Sequence, residues 1–281
     1  MPKYIPFNKP WISSLDRNNI LDALIDGHLS GDGKYTLKSS KYLKDKLKTK
    51  DVLITHSCTA ALEMSALISK VRSGDEVILP SYTFVSTANA FVLRGAVPVF
   101  VDIDYQTLNI DVNKVEEAIT SKTKLIVPVH YAGVSCDMDK IMAIADKYNL
   151  LVIEDAAQAY GSTYKNKSLG TIGHLGTLSF HATKNVISGE GGALLINKRE
   201  FIEAAEIIRE KGTNRKKFLS GQVDKYTWQS IGSSFLPSEL ISSFLFGQLE
   251  NSEYIETTRL SIWNNYFQLT KDLENQGYIK R

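Results

Sequence analysis

Short apolar runs alternate with helical patterns through the middle of the chain. The runs are rich in valine, isoleucine and leucine, and they lie at residues 52–55, 76–80, 98–102, 125–129, 150–154 and 193–196. They are almost wholly apolar, as expected for strands that are buried on both faces. Strands that alternate with helices form a mostly parallel sheet with helices on both of its faces. The sequence therefore predicts an α/β fold.

The helical patterns divide the chain into two parts. They lie at residues 60–71, 84–94, 113–120, 138–148 and 200–211, and a polar, basic loop follows at 212–221. From Pro237, which suits a first helical turn, the pattern is helical almost to the end and carries a broad apolar face. We predict an N-terminal segment with a large α/β domain over residues 1–236, and a long helical segment over residues 237–281.

Composition excludes several classes of protein. The chain has 281 residues, is 43% hydrophobic and contains two cysteines, Cys58 and Cys136, so neither a zinc site nor a disulfide framework is expected. A net charge of +2 gives no reason to expect a nucleic-acid or membrane partner. No signal-peptide pattern and no apolar run of about 18 residues is present, and we expect a cytoplasmic protein.

Polar clusters follow four of the predicted strands. They lie at residues 55–59, 81–83 and 130–131 and at Asp155. Ligands of parallel sheets bind outside the carboxyl ends of the strands. We therefore expect a binding site at this edge of the sheet.

Lys184 and Asp155 are the strongest candidates for chemistry. A lysine amine can form a Schiff base with the aldehyde of pyridoxal phosphate, and an aspartate can keep the pyridine nitrogen of that cofactor protonated. Taken alone, Lys184 fits a surface lysine and Asp155 fits a helix N-cap. Gln158, one helical turn after Asp155, is placed to reach the phenolic oxygen of the cofactor.

Residues 57–61 begin a predicted helix directly after a strand. Small residues there let main-chain N–H groups and the helix dipole bind a phosphate, although many helices begin with small residues. The segment is not a Walker A sequence, and the chain lacks a dinucleotide-binding glycine motif. Phe84 fits either a core position or a side chain that stacks on a flat ring. His130 and His181 fit either structural or ligand-orienting roles.

Longer motifs surround these residues. They are SGDG at 30–33, PSYTFVSTAN at 80–89, VPVHYAG at 127–133, EDAAQ at 154–158 and SFHATKNVISGEGG at 179–192. Together they resemble the fold-type I, pyridoxal-phosphate-dependent sugar-nucleotide aminotransferases of the DegT/DnrJ/EryC1/StrS family. The resemblance extends from residue 5 to about residue 266.

The resemblance implies a role for each candidate residue. Lys184 would be the Schiff-base lysine and proton shuttle, and Asp155 would pair with the pyridine nitrogen. Gln158 would contact the ring oxygen, and Phe84 would stack on the ring. The phosphate would be held by Thr59, Ala60 and Ser179. Substrate contacts would come from Gly31, His130 and Arg215.

The resemblance also implies a reaction and an assembly. An amino group would move from L-glutamate to the keto carbon, at carbon 4, of a dTDP-4-keto-6-deoxyhexose. The reaction would pass through pyridoxamine phosphate in two half-reactions and would supply sugars for surface polysaccharides. Family members are homodimers with shared active sites, which the loops at residues 31–36 and 212–228 are expected to reach.

Two departures from the family pattern leave alternatives open. Leu236 stands where many relatives place an asparagine that reaches the phosphate of the partner subunit. Relatives also continue into a small C-terminal domain that is expected to be largely missing from these 281 residues. One alternative is therefore a catalytically impaired or regulatory dimer that binds the cofactor. Another is a dehydratase of the same family, although those enzymes carry histidine in place of Lys184.

Overall fold

A seven-stranded sheet forms the centre of the computed structural model, which describes residues 4–280. The strands are β1 Asp51–Thr55, β2 Glu76–Pro80, β3 Val97–Val101, β4 Thr123–Ile126, β5 Leu151–Asp155, β6 Thr163–Tyr164, β7 Lys167–Ser168, β8 Leu175–Ser179 and β9 Gly192–Ile196. Strands β6 and β7 form a separate hairpin, and the order in the main sheet is β1-β9-β8-β5-β4-β2-β3.

Eleven α-helices occur within residues 4–280. They are α1 Ser14–Asp26, α2 Lys34–Leu47, α3 Cys58–Ile68, α4 Val85–Val92, α5 Val112–Val115, α6 Met138–Tyr148, α7 Ile202–Arg209, α8 Arg215–Leu219, α9 Glu239–Glu250, α10 Ser252–Leu269 and α11 Lys271–Asn275. Three 3-10 turns lie at Glu116–Ala118, Tyr131–Gly133 and Arg199–Phe201. None of the helices in the described residues is long and apolar enough to cross a membrane.

The predicted α/β fold with a mostly parallel sheet is confirmed. Strands β3, β2, β4, β5 and β8 pair in parallel, whereas β9 is antiparallel to both of its neighbours, β8 and β1. No bounds were predicted for β8, because Gly176 and Thr177 interrupt its apolar pattern, although the whole strand is buried. The direction of β9 was not predicted either, since an apolar run does not reveal its direction.

Several helices differ from their predicted bounds. The helix predicted at 113–120 ends as an α-helix at Val115 and continues as a 3-10 turn. The loop predicted at 212–221 contains the short helix α8. The segment after Pro237 forms three helices, which are interrupted at Asn251 and Thr270. Asparagine and threonine are weak helix formers, in agreement with breaks at these positions.

Helices cover both faces of the sheet. Along β2, Val77 and Leu79 pack on the side of α3, whereas Ile78 packs on the side of α6. A third apolar cluster joins α2 and α9 to β1, β8 and β9, and it includes Leu245 and Leu249 of α9. The division of the chain at residue 236 stays a prediction.

A buried carboxylate fixes the start of α2. Glu239, at the start of α9, accepts hydrogen bonds from the main-chain N–H groups of Gly33 (3.2 Å), Tyr35 (2.6 Å) and Thr36 (3.0 Å). The Thr36 hydroxyl also donates to it. These N–H groups lack partners within their own helix, and the helix dipole favours an anion there. Glu239 therefore joins α9 to the loop that precedes α2.

An ion pair holds the same loop from the other side. The buried Arg209 donates through Nη2 to both carboxylate oxygens of Asp32, at 2.7 and 2.9 Å. A Cβ atom at Gly31 would lie 2.6 Å from the Pro237 carbonyl oxygen, so the close approach of these segments requires glycine. Residues 30–33, where a substrate contact is predicted, are thus rigidly placed.

Replacing Glu239 should destabilise the fold. We expect Glu239→Ala to lower the free energy of unfolding by about 2–4 kcal/mol, because several buried donors lose their acceptor. Urea denaturation measures this difference. Glu250→Ala, at the exposed end of the same helix, should change the value by less than about 0.5 kcal/mol. Equal effects of the two substitutions would contradict the role given to Glu239.

Candidate active site

A cavity of about 470 Å³ opens at the carboxyl edge of the sheet. Its wall is built from the start of α3, the start of α4, the ends of β5 and β8, and the segment that follows β8. Seven of the candidate residues selected from the sequence line it: Thr59, Phe84, Asp155, Gln158, Ser179, His181 and Lys184.

Lys184 lies in a tight loop between β8 and β9. Main-chain hydrogen bonds close this loop, from Phe180 N–H to the Gly191 carbonyl (2.9 Å) and from Ala182 N–H to the Gly189 carbonyl (2.8 Å). The Asn8 amide also donates to the Ala182 carbonyl at 2.7 Å, which fixes the N-terminal segment against the loop. Lys184 is half-buried and also lines two smaller cavities of about 260 and 230 Å³. The loop thus presents one lysine where three cavities meet.

Asp155 is the last residue of β5 and is only 5% exposed. Its Oδ2 accepts a hydrogen bond from the Thr87 hydroxyl at 2.7 Å, and its Oδ1 accepts one from Ala157 N–H at 3.1 Å. The residues after Asp155 form turns and not a helix, so the alternative of a helix N-cap is wrong. The bond to Ala157 is that of an Asx turn.

Cys58 also lines the cavity, and its thiol has a raised pKa. Burial raises the pKa of this thiol, the nearby Asp155 carboxylate raises it further, and Lys184 opposes both effects. Cys58 is therefore a neutral thiol near neutral pH.

The start of α3 forms a part of the cavity wall that suits an anion. Ser57 is the N-cap, and its hydroxyl accepts a hydrogen bond from Ala60 N–H at 3.0 Å. The first N–H groups of a helix have no acceptor within the helix, so those of Cys58 and Thr59 are available to a phosphate. The Thr59 hydroxyl, also on the cavity wall, lies 2.9 Å from the Ser86 hydroxyl.

Gly192 allows this wall to form. A Cβ atom at this position would lie 2.4 Å from the main-chain nitrogen of Cys58 and 2.6 Å from the Ser57 carbonyl oxygen. Glycine therefore lets the start of β9 approach the start of α3. The last glycine of the motif at 179–192 therefore has a steric role, because any side chain at position 192 would clash with the start of α3.

Phe84 is the N-cap residue of α4 and is 70% exposed. The alternative of a core phenylalanine is therefore wrong. An exposed aromatic ring in a cavity wall provides a flat apolar surface for a planar ligand. Its main chain is extended, with φ −75° and ψ 146°, and this conformation directs the chain from β2 into the helix.

Gln158 is oriented by the main chain. Its Oε1 accepts a hydrogen bond from Ala132 N–H at 2.7 Å, which leaves its amide NH₂ group as a donor. Ala132 itself has a positive φ of 51°, in the turn after His130. The side chain of Gln158 is thus prepared to donate to an oxygen in the cavity.

Two of the predicted site residues, His130 and Ala60, are buried and have no group free to reach the cavity. His130 is fully buried: its Nδ1 accepts from Cys136 N–H at 3.2 Å, so its Nε2 carries the proton and donates to Glu154 at 2.9 Å. Contrary to expectation, its ring has no donor or acceptor left for a substrate. Ala60 is also buried, and its N–H group is occupied by Ser57.

Gly31 and Arg215 lie in a different cavity of about 430 Å³. Lys211 and Arg215 line it, and both contact the Glu210 carboxylate, at 3.1 and 3.4 Å. Within one protomer these residues are not brought together with Lys184.

Sequence reasoning gave no individual role to two residues of the site, Thr83, which stands in the polar cluster at 81–83, and Thr87. Thr87 holds Asp155, and Thr83 lies 2.7 Å from the Thr87 hydroxyl. Both stand in the motif at 80–89, where only Phe84 received a role. Thr83 precedes α4 and Thr87 lies in its first turn, so no helical spacing relates the two residues, and nothing in the sequence signals their contact.

The residues around the cavity fit pyridoxal phosphate. A lysine can bind its aldehyde, a buried carboxylate with both oxygens already oriented can bind its ring nitrogen, and a helix start can bind its phosphate. The exposed face of Phe84 matches the flat ring. The sites proposed for these groups lie on the wall of one cavity.

Known proteins resemble this chain along most of its length. It is 38% identical over 274 residues to an uncharacterized protein, MJ1066, of Methanocaldococcus jannaschii, covering 96% of this chain and 71% of that protein. It is 33% identical over 241 residues to GDP-perosamine synthase of Caulobacter vibrioides, and the match covers 86% of this chain and 63% of that protein.

Solved structures share the fold. PseC of Helicobacter pylori, an aminotransferase of pseudaminic acid biosynthesis, superposes with a TM-score of 0.89 at 30% identity, covering 96% of this chain and 71% of that one. The sugar aminotransferase Spr1654 of Streptococcus pneumoniae, in its pyridoxamine-phosphate form, superposes with a TM-score of 0.89 at 28% identity. The match covers 95% of this chain and 73% of that one. An Escherichia coli GDP-4-keto-6-deoxy-D-mannose-3-dehydratase shares the fold at 22% identity, with a TM-score of 0.87 and covering 96% and 73%.

The DegT/DnrJ/EryC1/StrS aminotransferase family matches residues 11–281. The chain belongs to this family of sugar aminotransferases, which use pyridoxal phosphate.

Proposed function

We propose that this protein transfers an amino group from L-glutamate to carbon 4 of a dTDP-4-keto-6-deoxyhexose. The observation that carries the proposal is the convergence of Lys184 and Asp155 on one cavity, together with a helix start suited to a phosphate. A cytoplasmic role in making sugars for surface polysaccharides is part of the proposal.

Each side chain has a defined task in this reaction. When bound, the cofactor supplies the electron sink that makes a proton on the donor's α-carbon removable. Lys184 Nζ would take that proton as a free amine and would then give the same proton up to the cofactor, so that the lysine is again a free amine. The Asp155 carboxylate would keep the ring nitrogen protonated. Phe84 would cover one face of the ring.

The substrate class is supported by the relatives and by a second cavity. GDP-perosamine synthase is named for a sugar linked to a nucleoside diphosphate, the class of substrate to which a dTDP-sugar also belongs. The cavity that holds Gly31 is lined by Lys211 and Arg215, which suit a diphosphate, and by Glu210, whose carboxylate pairs with both cations. We propose that in a homodimer this cavity faces the Lys184 cavity of the partner and that Leu236 lies between them.

The dehydratase alternative shares only the fold. Those enzymes are expected to carry histidine in place of the Schiff-base lysine, whereas this chain has Lys184. The lysine therefore favours transamination.

Replacing Lys184 tests the reaction. We expect Lys184→Ala to lower the rate of amino-sugar formation from dTDP-4-keto-6-deoxyglucose and glutamate by about 10³-fold or more, because the proton carrier is lost. Mass spectrometry of the product measures the rate, and the GDP-linked keto sugar serves as the competing substrate. Lys41→Ala, an exposed change on α2, should leave the rate unchanged. Turnover by Lys184→Ala at the wild-type rate would refute the mechanism.

Phe84 should matter for the cofactor but not for folding. Because the side chain is exposed, Phe84→Ala should change the stability of the apoprotein by less than about 0.5 kcal/mol. Loss of the stacking surface should weaken pyridoxal phosphate binding about tenfold, as measured by titration of the apoprotein. Leu93→Ala, another exposed apolar residue near the end of α4, is the matched control and should alter neither value. Unchanged cofactor affinity in Phe84→Ala would contradict the proposal that Phe84 stacks on the cofactor.

Mixed dimers test whether the active site is shared. We expect Lys184→Ala and Arg215→Ala each to be inactive alone, while coexpression with two different tags restores activity in the mixed dimer. Random pairing would leave about a quarter of the sites intact, because each mixed dimer keeps one complete site. Purified mixed dimers without activity would show that Arg215 acts in its own protomer, and an active Arg215→Ala homodimer would show that Arg215 has no role in the site.

A further inference from the structure

A chain of hydroxyl groups ends at the Asp155 carboxylate. Thr87, the third residue of α4, is fully buried, and its Oγ1 lies 2.7 Å from Asp155 Oδ2. The same Oγ1 lies 2.7 Å from the Oγ1 of Thr83, which precedes the helix. None of these contacts is needed to form α4 itself, whose turns are closed by its own main chain.

The chemistry of the three groups fixes the direction of this chain. An ionised carboxylate only accepts hydrogen bonds, so Thr87 must donate to Asp155. The single hydroxyl proton of Thr87 is then used, so Thr83 must donate to Thr87. Hydrogen bonds that run in one direction polarise each other, and the bond to a charged acceptor gains most.

We propose that Thr87 is a positioning residue that fixes the rotation of the Asp155 carboxylate toward the cofactor's ring nitrogen. Ala157 N–H holds Oδ1 and the Thr87 hydroxyl holds Oδ2, so two different elements fix the two oxygens. This inference rests on the proposed function, because it requires that Asp155 binds the ring nitrogen.

The arrangement joins two sides of the cofactor site. The start of α4 presents Phe84 to the cavity, and one turn later the same helix orients Asp155 through Thr87. The start of one helix therefore provides both the side chain proposed to stack on the ring and the hydroxyl proposed to orient the partner of the ring nitrogen. A shift of this helix start would disturb both contacts together.

Four variants test the proposal. Thr87→Val removes the hydroxyl but keeps the shape, and Thr87→Ser restores the hydroxyl. Thr83→Val removes only the second hydroxyl of the chain. Thr49→Val is the matched control, because Thr49 is a buried threonine whose hydroxyl donates to the Ile196 carbonyl (2.9 Å) and lies 2.6 Å from Asn197 Oδ1, in residues that do not line the cavity.

Three readouts separate positioning from folding. They are the dissociation constant of pyridoxal phosphate, the midpoint pH of the absorbance change of the loaded protein, and kcat and KM for the half-reaction with glutamate. We expect Thr87→Val to weaken cofactor binding about tenfold, to move the midpoint, and to lower kcat about tenfold with little change in KM. Thr87→Ser should stay within about twofold of wild type, and Thr83→Val should fall between them.

The outcomes distinguish this inference from the proposed function. If the wild-type protein binds pyridoxal phosphate and Thr87→Val matches it in all three readouts, the positioning role is refuted and the proposed function stands. If Thr87→Ser is as impaired as Thr87→Val, or if Thr49→Val shows the same losses, the hydroxyl at Thr87 is not the cause. If the wild-type protein binds no cofactor, both the function and this inference fail. Circular dichroism and melting curves establish that each variant is folded.

Discussion

The site depends on the hydrogen bonds that hold the buried carboxylate of Asp155. This residue stands at the end of β5, where Asp155 N–H donates to the Pro128 carbonyl and its own carbonyl accepts from His130 N–H. These main-chain bonds place the carboxylate at the sheet edge before any ligand binds. A buried charge is costly unless donors surround it, and Thr87 and Ala157 supply them. The same geometry leaves the carboxylate ready to bind a protonated ring nitrogen.

The acid that precedes it in sequence has a structural task. Glu154 is fully buried and accepts from His130 Nε2 and from the N–H groups of Gly170, Ile172 and Gly173, at 2.6–2.9 Å. It therefore fixes the turn that leads into β8, and β8 leads to Lys184. Two adjacent acids on β5 thus point to opposite faces and serve the site in different ways, as the alternation of side chains along a strand requires.

The sequence predicts the framework of the fold better than the details of the site. The apolar runs locate most strands because burial on both faces requires them, but they do not show that β9 is antiparallel. Motif resemblance selects Lys184 and Asp155, which the structure brings to one cavity. It also selects His130, whose ring faces inward, because spacing alone does not tell which face a residue occupies after a strand has ended. Thr87 was missed because its importance depends on a contact 68 residues away along the chain.

Lys184 is proposed to be the amine that binds the cofactor opposite Asp155. Incubation with pyridoxal phosphate, reduction with borohydride and peptide mass spectrometry would fix the cofactor on the lysine that holds it. We expect one dominant labelled peptide, modified at Lys184, and loss of this label in Asp155→Ala at limiting cofactor concentration. A label on another lysine, or an even spread over the surface lysines, would contradict the proposal.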